Sequence, residues 1–274
     1  LFLKPVYTGF FFALIIKMEI LFISFIAFIA SILTFFSGFG LGTILMPVFA
    51  IFFPVEIAIA LTGIVHLLNN LFKISIVGKF ASWKIVFQFG MPAIIGALIG
   101  AGILIYFSSN SILASYQLGN IECEITPIKL IISIIILFFA ILELLPFFQN
   151  LEFSKNKLLA GGLISGFFGG LSGHQGALRS AFLIKCGLTK ESFIATGVII
   201  ASIVDVSRIS IYFTKYSQFD IENNALLLIS AVIAAFSGAI LGRQLLKKVT
   251  IKQVNILVTI MLILLSTLMG LGII

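Results

Sequence analysis

From Glu19 onward the chain alternates long apolar runs with short polar punctuation, and the length of each run reads as a helix. Glu19–Phe36 is a first span that ends at Ser37-Gly38-Phe39-Gly40-Leu41-Gly42. Thr43–Phe53 is a short apolar piece with Pro47 inside, stopped by Pro54. Ile57–Val77 and Lys84–Phe107 span again, the second kinkable at Gly90 and Pro92. Ser108–Thr126, with Glu122 and Glu124, reads as a loop, Ile128–Phe148 as a span and Gln149–Lys157 as a second loop. Leu158–Gly170 then runs into another glycine-rich break, Gly176–Ile184 is the short piece after it, and Glu191–Phe213, Asn224–Leu246 and Ile251–Ile273 complete the series.

These runs approach or exceed the roughly 20 apolar residues that cross a bilayer. Hydrophobic residues make up 61% of the chain and charged residues 10%, against the roughly 25% charged of a soluble domain. Short alternating strands, which a membrane β-barrel requires, do not recur. The fold class predicted is an all-α polytopic membrane protein. Residues 1–17 read as an N-terminal extension, because Met18 opens a clean apolar run and Val6–Ile16 is short for a span.

Offsets along the chain predict an internal duplication. Gly42 matches Gly176 and Thr62-Gly63 matches Thr196-Gly197 at 134 residues, and Lys73-Ile74-Ser75-Ile76 matches Arg208-Ile209-Ser210-Ile211 at 135. Gly96-Ala97-Leu98-Ile99-Gly100 matches Gly238-Ala239-Ile240-Leu241-Gly242 at 142. The drift is small and monotonic, as loop insertions produce. The organisation expected is a repeat over 18–148 and another over 149–274. Together they supply eight full helices plus two short helices after glycine-rich breaks.

Charge bears on topology more than on ligand. The net charge of +7 does not point to nucleic acid, because fourteen of the seventeen basic residues are lysines, mostly between apolar runs. With eight crossings these lysines split evenly between faces. Counting each short piece as a crossing gives ten and gathers Lys79, Lys84, Lys155, Lys157, Lys185, Lys190, Lys247, Lys248 and Lys252 on one face. The other face then keeps Lys17, Lys129 and Lys215 with Glu19, Glu56, Glu122, Glu124, Asp220 and Glu222. The positive-inside rule favours the second arrangement, which also inverts one repeat relative to the other.

Ionisable groups inside a bilayer are costly and mark function by default. In Ser165-Gly166-Phe167-Phe168-Gly169-Gly170-Leu171-Ser172-Gly173-His174-Gln175-Gly176-Ala177-Leu178-Arg179-Ser180, five glycines predict unwound backbone. A helix starting at Gly176 would turn free N–H groups into the break, with Gly173, His174 and Gln175 beside them and Arg179 within a turn. A guanidinium suits an oxyanion through paired hydrogen bonds. The bland alternative is glycines for helix packing and Arg179 snorkelling to the lysine face. Asp205 and Arg208, one turn apart, read either as a proton- or substrate-linked pair or as a structural ion pair. His66, Asn69, Asn70 and Lys73 form one helical stripe, lining a pathway or bonding between helices, with Lys73 free to snorkel. No metal-ligand spacing surrounds Cys123 or Cys186, and no cofactor is implied.

Two glycine-rich breaks, each followed by a short helix, then an Ala/Thr-Gly helix, then Gly-Ala-x-x-Gly, resemble the sulfite exporter TauE/SafE (TSUP) family from Met18 onward. The resemblance implies secondary transport of small sulfur-containing anions such as sulfite or organosulfonates, coupled to protons. It departs from the commonest pattern at Gly173-His174-Gln175-Gly176 and Ala181, where further glycines and a proline are usual. The function expected is an alternating-access anion transporter of the cell membrane and not an enzyme. Its partners would be a small anionic solute, the lipid bilayer and a second copy of the chain in a homodimer. An intramembrane enzyme using His174 or Asp205, and a passive anion channel on the same scaffold, are the competing readings.

Overall fold

The computed structural model describes residues 4–35, 40–108, 111–119, 121–145, 153–216, 221–245 and 251–274. The break residues Ser37, Gly38 and Phe39, the tips at Pro146, Gln149 and Asp220, and Lys247 and Lys248 lie outside them. Among the described residues the chain is almost entirely helical: α1 (Lys4–Thr34), α2 (Leu41–Ala50), α3 (Val55–Val77), α4 (Trp83–Phe107), α5 (Pro127–Leu144), α6 (Leu158–Ser172), α7 (Gly176–Leu183), α8 (Lys190–Tyr216), α9 (Ile221–Leu245) and α10 (Ile251–Gly270). Among the described residues four stretches are long and apolar enough to cross a membrane: Val55–Phe80, Trp83–Phe107, Lys190–Lys215 and Asn224–Gln244. Residues 4–17 continue into the first span as one helix. Helix α4 runs unbroken through Gly90 and Pro92.

Local chemistry sets the ends. Pro54 precedes α3 in extended backbone, and Pro127 occupies the first turn of α5, where a missing N–H costs nothing. Thr126 caps that turn by accepting from the Lys129 N–H. Helix α6 stops where Gly173 adopts φ +81°, a left-handed conformation that disfavours any side chain.

The expected loop at 108–126 is instead partly a β-hairpin. Strands β1 (Ala114–Leu118) and β2 (Ile121–Ile125) pair antiparallel, with Tyr116 opposite Cys123. Alternation over so few residues is hard to separate from a polar loop. What stabilises the hairpin is tertiary: the Tyr116 hydroxyl donates to the Leu271 carbonyl at 2.7 Å, and the Glu124 N–H donates to that of Gly272 at 3.2 Å.

The glycine content of α6 also differs in meaning from the unwinding expected. The helix continues through Gly166, Gly169 and Gly170 to Ser172. A Cβ on Gly162, Gly166 or Gly170 would collide with the carbonyl of Phe89, Ala93 or Ala97 on α4. Reciprocally, one on Gly96 or Gly100 would collide with the carbonyl of Leu163 or Phe167. Glycines spaced by four therefore let two backbones touch along their length. Gly238 and Gly242 of α9 meet Phe28 and Ile32 of α1 in the same way. Between Gly161 and Gly176, Gly173 is the one glycine in left-handed backbone.

The remaining helices pack around a central α3–α8 crossing, with α2 on α3, α9 on α3, α4 on α8 and α10 on α5. Helix α7 doubles back along α6, since the Phe153 N–H bonds the Ala181 carbonyl and a Cβ on Gly161 would strike the Phe182 ring. At that same end the Ser82 N–H donates to Thr196 Oγ1, so Lys79, Lys84, Lys155, Lys157, Lys185 and Lys190 gather there. At the opposite end Lys215 Nζ donates to the Ile105 and Ser108 carbonyls, and residues 50–56 lie with Glu124, Lys129 and Ile274 around a shallow cavity.

Candidate functional site

The second break and the α3–α8 crossing bring six ionisable side chains into the interior: His66, Lys73, His174, Arg179, Asp205 and Arg208. The stripe predicted on α3 faces inward as helical spacing requires. Lys73 does not snorkel; it is 4% exposed, with Nζ 5.2 Å from the centre of the Phe35 ring. Arg179 stays inside too, its Nη1 donating to Gln175 Oε1 at 3.3 Å.

Asp205 is the hub. Its Oδ1 accepts from Arg208 Nε at 3.0 Å, lies 2.9 Å from Arg208 Nη2, and accepts from Gln175 Nε2 at 3.4 Å. Its Oδ2 accepts from His66 Nδ1 at 2.6 Å and from Asn70 Nδ2 at 3.5 Å. With Nδ1–H committed to Asp205, neutral His66 presents Nε2 as an acceptor, and the Asn70 amide lies 3.3 Å away. One carboxylate thus ties α3, α8 and the second break together. Both sequence readings of Asp205–Arg208 treated it as a local pair; the His66 bond, across 139 residues, is visible only in three dimensions.

One cavity opens beside this hub. Its walls include His66, Asn70, Lys73, Arg179, Ser180 and Gly197. The cavity brings together four of the predicted residues, His66, Asn70, Lys73 and Arg179. Gly173, His174, Gln175, Gly176 and Asn69 stand outside its walls. Gln175 lies behind, holding Arg179 to Asp205, and its carbonyl accepts from Ser165 Oγ at 3.1 Å. Gly176 opens α7, and Asn69 turns to α1, where Oδ1 accepts from Ser31 Oγ at 3.3 Å. His174 Nδ1 donates to the Ser172 carbonyl at 3.1 Å.

The sequence reading had not singled out Thr34, Phe35, Ser180 or Gly197 as lining residues. Gly197 was marked only by its match to Gly63, yet a Cβ there would sit 3.5 Å from Arg179 Nε. Gly40 plays a similar part in the first break, where a Cβ would lie 3.0 Å from His66 Nε2. At both places glycine backbone lies directly against a side-chain head of the site.

The electrostatic balance is one-sided. Among the described buried residues three basic side chains, Lys73, Arg179 and Arg208, face one carboxylate, Asp205. Asp205 is engaged by Arg208 and His66, and no carboxylate among the described residues lines the cavity. Buried basic groups without counter-charge cost several kcal/mol each in their charged form. No group of three or more metal-binding side chains occurs among the described residues.

The chain belongs to the family described as Sulfite exporter TauE/SafE, whose pattern matches residues 23–269. It is therefore a membrane protein of a transporter family. No curated protein and no solved structure matches the chain.

Proposed function

We propose that this protein is a secondary transporter of a small oxyanion of the sulfite or organosulfonate type, residing in the cell membrane and working by alternating access. The observation that carries the reading is the cavity with Lys73 and Arg179 in its walls and no carboxylate among the described residues. The anion takes hydrogen bonds from the Arg179 fork and the Lys73 ammonium, with Asn70 as a neutral donor. Engaging Arg179 competes with its bond to Gln175, which in turn loosens Gln175 from Asp205. Binding is thereby felt at the α3–α8 crossing. The His66–Asp205 bond is the place where a proton can enter the cycle, since it joins helices from the two halves.

Two inverted repeats are part of the proposal. Their support is a packing symmetry: α4 lies on α6 as α9 lies on α1, and in both pairs the Gly-Ala-x-x-Gly helix presses on the helix before a break. The two hairpins also enter from opposite ends. Helices α6 and α7 enter from and return to the lysine-rich end, whereas α2 runs out to the end that carries Glu56 and Glu124.

The experiment is thermal stabilisation of the purified chain by sulfite, sulfate, thiosulfate, a sulfonate and a carboxylate, followed by flux of the best ligand into proteoliposomes. Stabilisation by one sulfur oxyanion, lost with its flux in Arg179→Gln, is expected. Unchanged binding and flux in Arg179→Gln would remove the cavity as the site.

A further inference from the structure

The cavity beside Lys73 and Arg179 lies on one side of the Asp205 hub. Its walls run out past Ser180 and Leu183 of α7 and Phe193 and Ile194 of α8, which adjoin Lys185 and Lys190 at the lysine-rich end. On the other side of the hub α8 continues for about 15 Å before Lys215 Nζ reaches the Ser108 carbonyl. Ser108 is in the wall of the second cavity, with the turn that follows α2, Glu124 and Thr126. Helix α2 runs from one cavity to the other: Leu41 lines the first, Ala50 the second, and all ten of its residues are buried. Between the two cavities the interior is filled. Arg208 and Tyr212 are 0% and 2% exposed and stand in the walls of neither. Asp205 holds Arg208 at Nε and Nη2, and glycine backbone closes on its head: a Cβ on Gly173 would lie 3.1 Å from Nη1 and one on Gly63 3.2 Å from Nη2. Tyr212, one turn on, is a hydrogen-bond partner of Arg208. Its hydroxyl donates to the Gly170 carbonyl, in the last turn of α6, where a helix has no N–H of its own to offer. Beyond Tyr212, Leu45, Met46 and Phe49 of α2 belong to the same apolar core.

We infer that the two cavities are the two mouths of one anion pathway, and that Arg208 and Tyr212 are the closed gate between them. The inference rests on the transporter reading and adds to it a second site, a state and a moving part. The molecule is open toward the lysine-rich end and shut toward the end that carries Glu56 and Glu124. Apolar side chains alone would seal this space at lower cost, since each buried polar head needs its own partner. The partners here are ones that can be exchanged: a carboxylate for Arg208 and a single helix-end carbonyl for Tyr212. Glycine at 63, 170 and 173 leaves no Cβ to interlock with either head. The gate is also joined to the anion cavity by a chain of bonds. Arg179 donates to Gln175, Gln175 donates to Asp205 Oδ1, and that same oxygen takes Arg208 Nε and Nη2. An anion that draws Arg179 from Gln175 therefore disturbs the oxygen that seats the gate. Opening takes the Tyr212 hydroxyl off the Gly170 carbonyl, and a passing anion then meets a guanidinium instead of an apolar wall.

The test is sided labelling of single cysteines by an anionic, membrane-impermeant methanethiosulfonate. The full chain is reconstituted in one orientation in proteoliposomes, with Cys123→Ser and Cys186→Ser removing the native thiols. Ser180→Cys reports on the first cavity and Ile51→Cys on the second. With a minor state populated at a tenth or less, Ser180→Cys should label at least about tenfold faster from the lysine-rich face, and Ile51→Cys at least about tenfold faster from the acidic face. Tyr212→Phe removes one hydrogen bond that holds the gate, and should speed acidic-face labelling of Ser180→Cys roughly three- to tenfold without speeding it from the lysine-rich face. Where Tyr212→Phe does not accumulate, Gly63→Ala presses on Arg208 Nη2 and should shift the labelling the same way. Equal labelling of Ser180→Cys from both faces with Tyr212 in place, unchanged sidedness in both variants, or a rise on both faces together overturns the gate. Labelling of Ile51→Cys from the lysine-rich face overturns the second mouth. Sulfite separates this failure from that of the transporter reading. If sulfite protects Ser180→Cys but labelling is two-sided, the anion site stands and the gate fails. If labelling is one-sided and sulfite gives no protection, the gate stands and sulfite is removed from the cavity.

Discussion

Replacing Lys73 with methionine should make the empty protein more stable and leave it unable to hold an anion. Lys73 is buried, its nearest described compensation is the Phe35 ring at 5.2 Å, and it shares the cavity with Arg179. Taking an ammonium out of water costs several kcal/mol in a protein interior. A cation over an aromatic ring returns only about 0.5–2 kcal/mol. Methionine fills the same stem volume, packs on Phe35 and has a similar helix propensity. The balance is a stabilisation of about 1–3 kcal/mol for Lys73→Met without ligand, within the roughly 1–4 kcal/mol gained in favourable cases when buried ion pairs are replaced by apolar side chains. For a chain of this size that is an upward Tm shift of roughly 2–6 °C. The opposite change appears with ligand: an anion at a hundred times its Kd stabilises the wild type by about 2.7 kcal/mol, and this increment should vanish. The assay is thermal unfolding of both proteins with and without sulfite. A ligand-free Tm below wild type, or a full anion-dependent rise in Lys73→Met, refutes the assignment of Lys73 as an unpaired ligand-binding cation.

The hub should behave oppositely. Asp205→Asn removes the partner of Arg208 and the acceptor for His66, and should cost about 3–5 kcal/mol, read as a lower Tm that high anion concentration restores in part; a Tm equal to wild type contradicts the hub. The glycine seam gives a separate prediction: Gly170→Val drives side-chain atoms into the Ala97 carbonyl and should cost at least about 1–3 kcal/mol or prevent folding. Gly102→Ala, which meets nothing within 4 Å, should leave expression and Tm unchanged. Equal expression of the two variants would sink the close-packing account of the glycines.

Much of this protein was determined by the linear pattern of apolar runs. Hydrocarbon leaves backbone groups no partner but each other, so length and apolarity alone dictate helices. The observed α3, α4, α8 and α9 begin and end within three residues of the runs that predict them. The two short helices could be placed because proline and glycine act locally on φ and ψ. The stripe of His66, Asn70 and Lys73 was legible because helical periodicity and the cost of burying polar groups together fix which face turns inward.

The tertiary structure decided what these local rules leave open. A glycine lets a chain unwind or lets two helices touch, and the same letter serves both; only the carbonyls of Ala93 and Ala97 facing Gly166 and Gly170 separate the two uses. Helical spacing pairs Asp205 with Arg208, but nothing in the chain order indicates that His66 would take the other oxygen. The hairpin at 114–125 depends on acceptors supplied by the end of α10. Charge balance is likewise a property of the packed molecule. Lys73 and Arg179 are separated by more than a hundred residues in the chain, and they come to line one cavity only because folding places both there while Asp205 is held by Arg208 and His66.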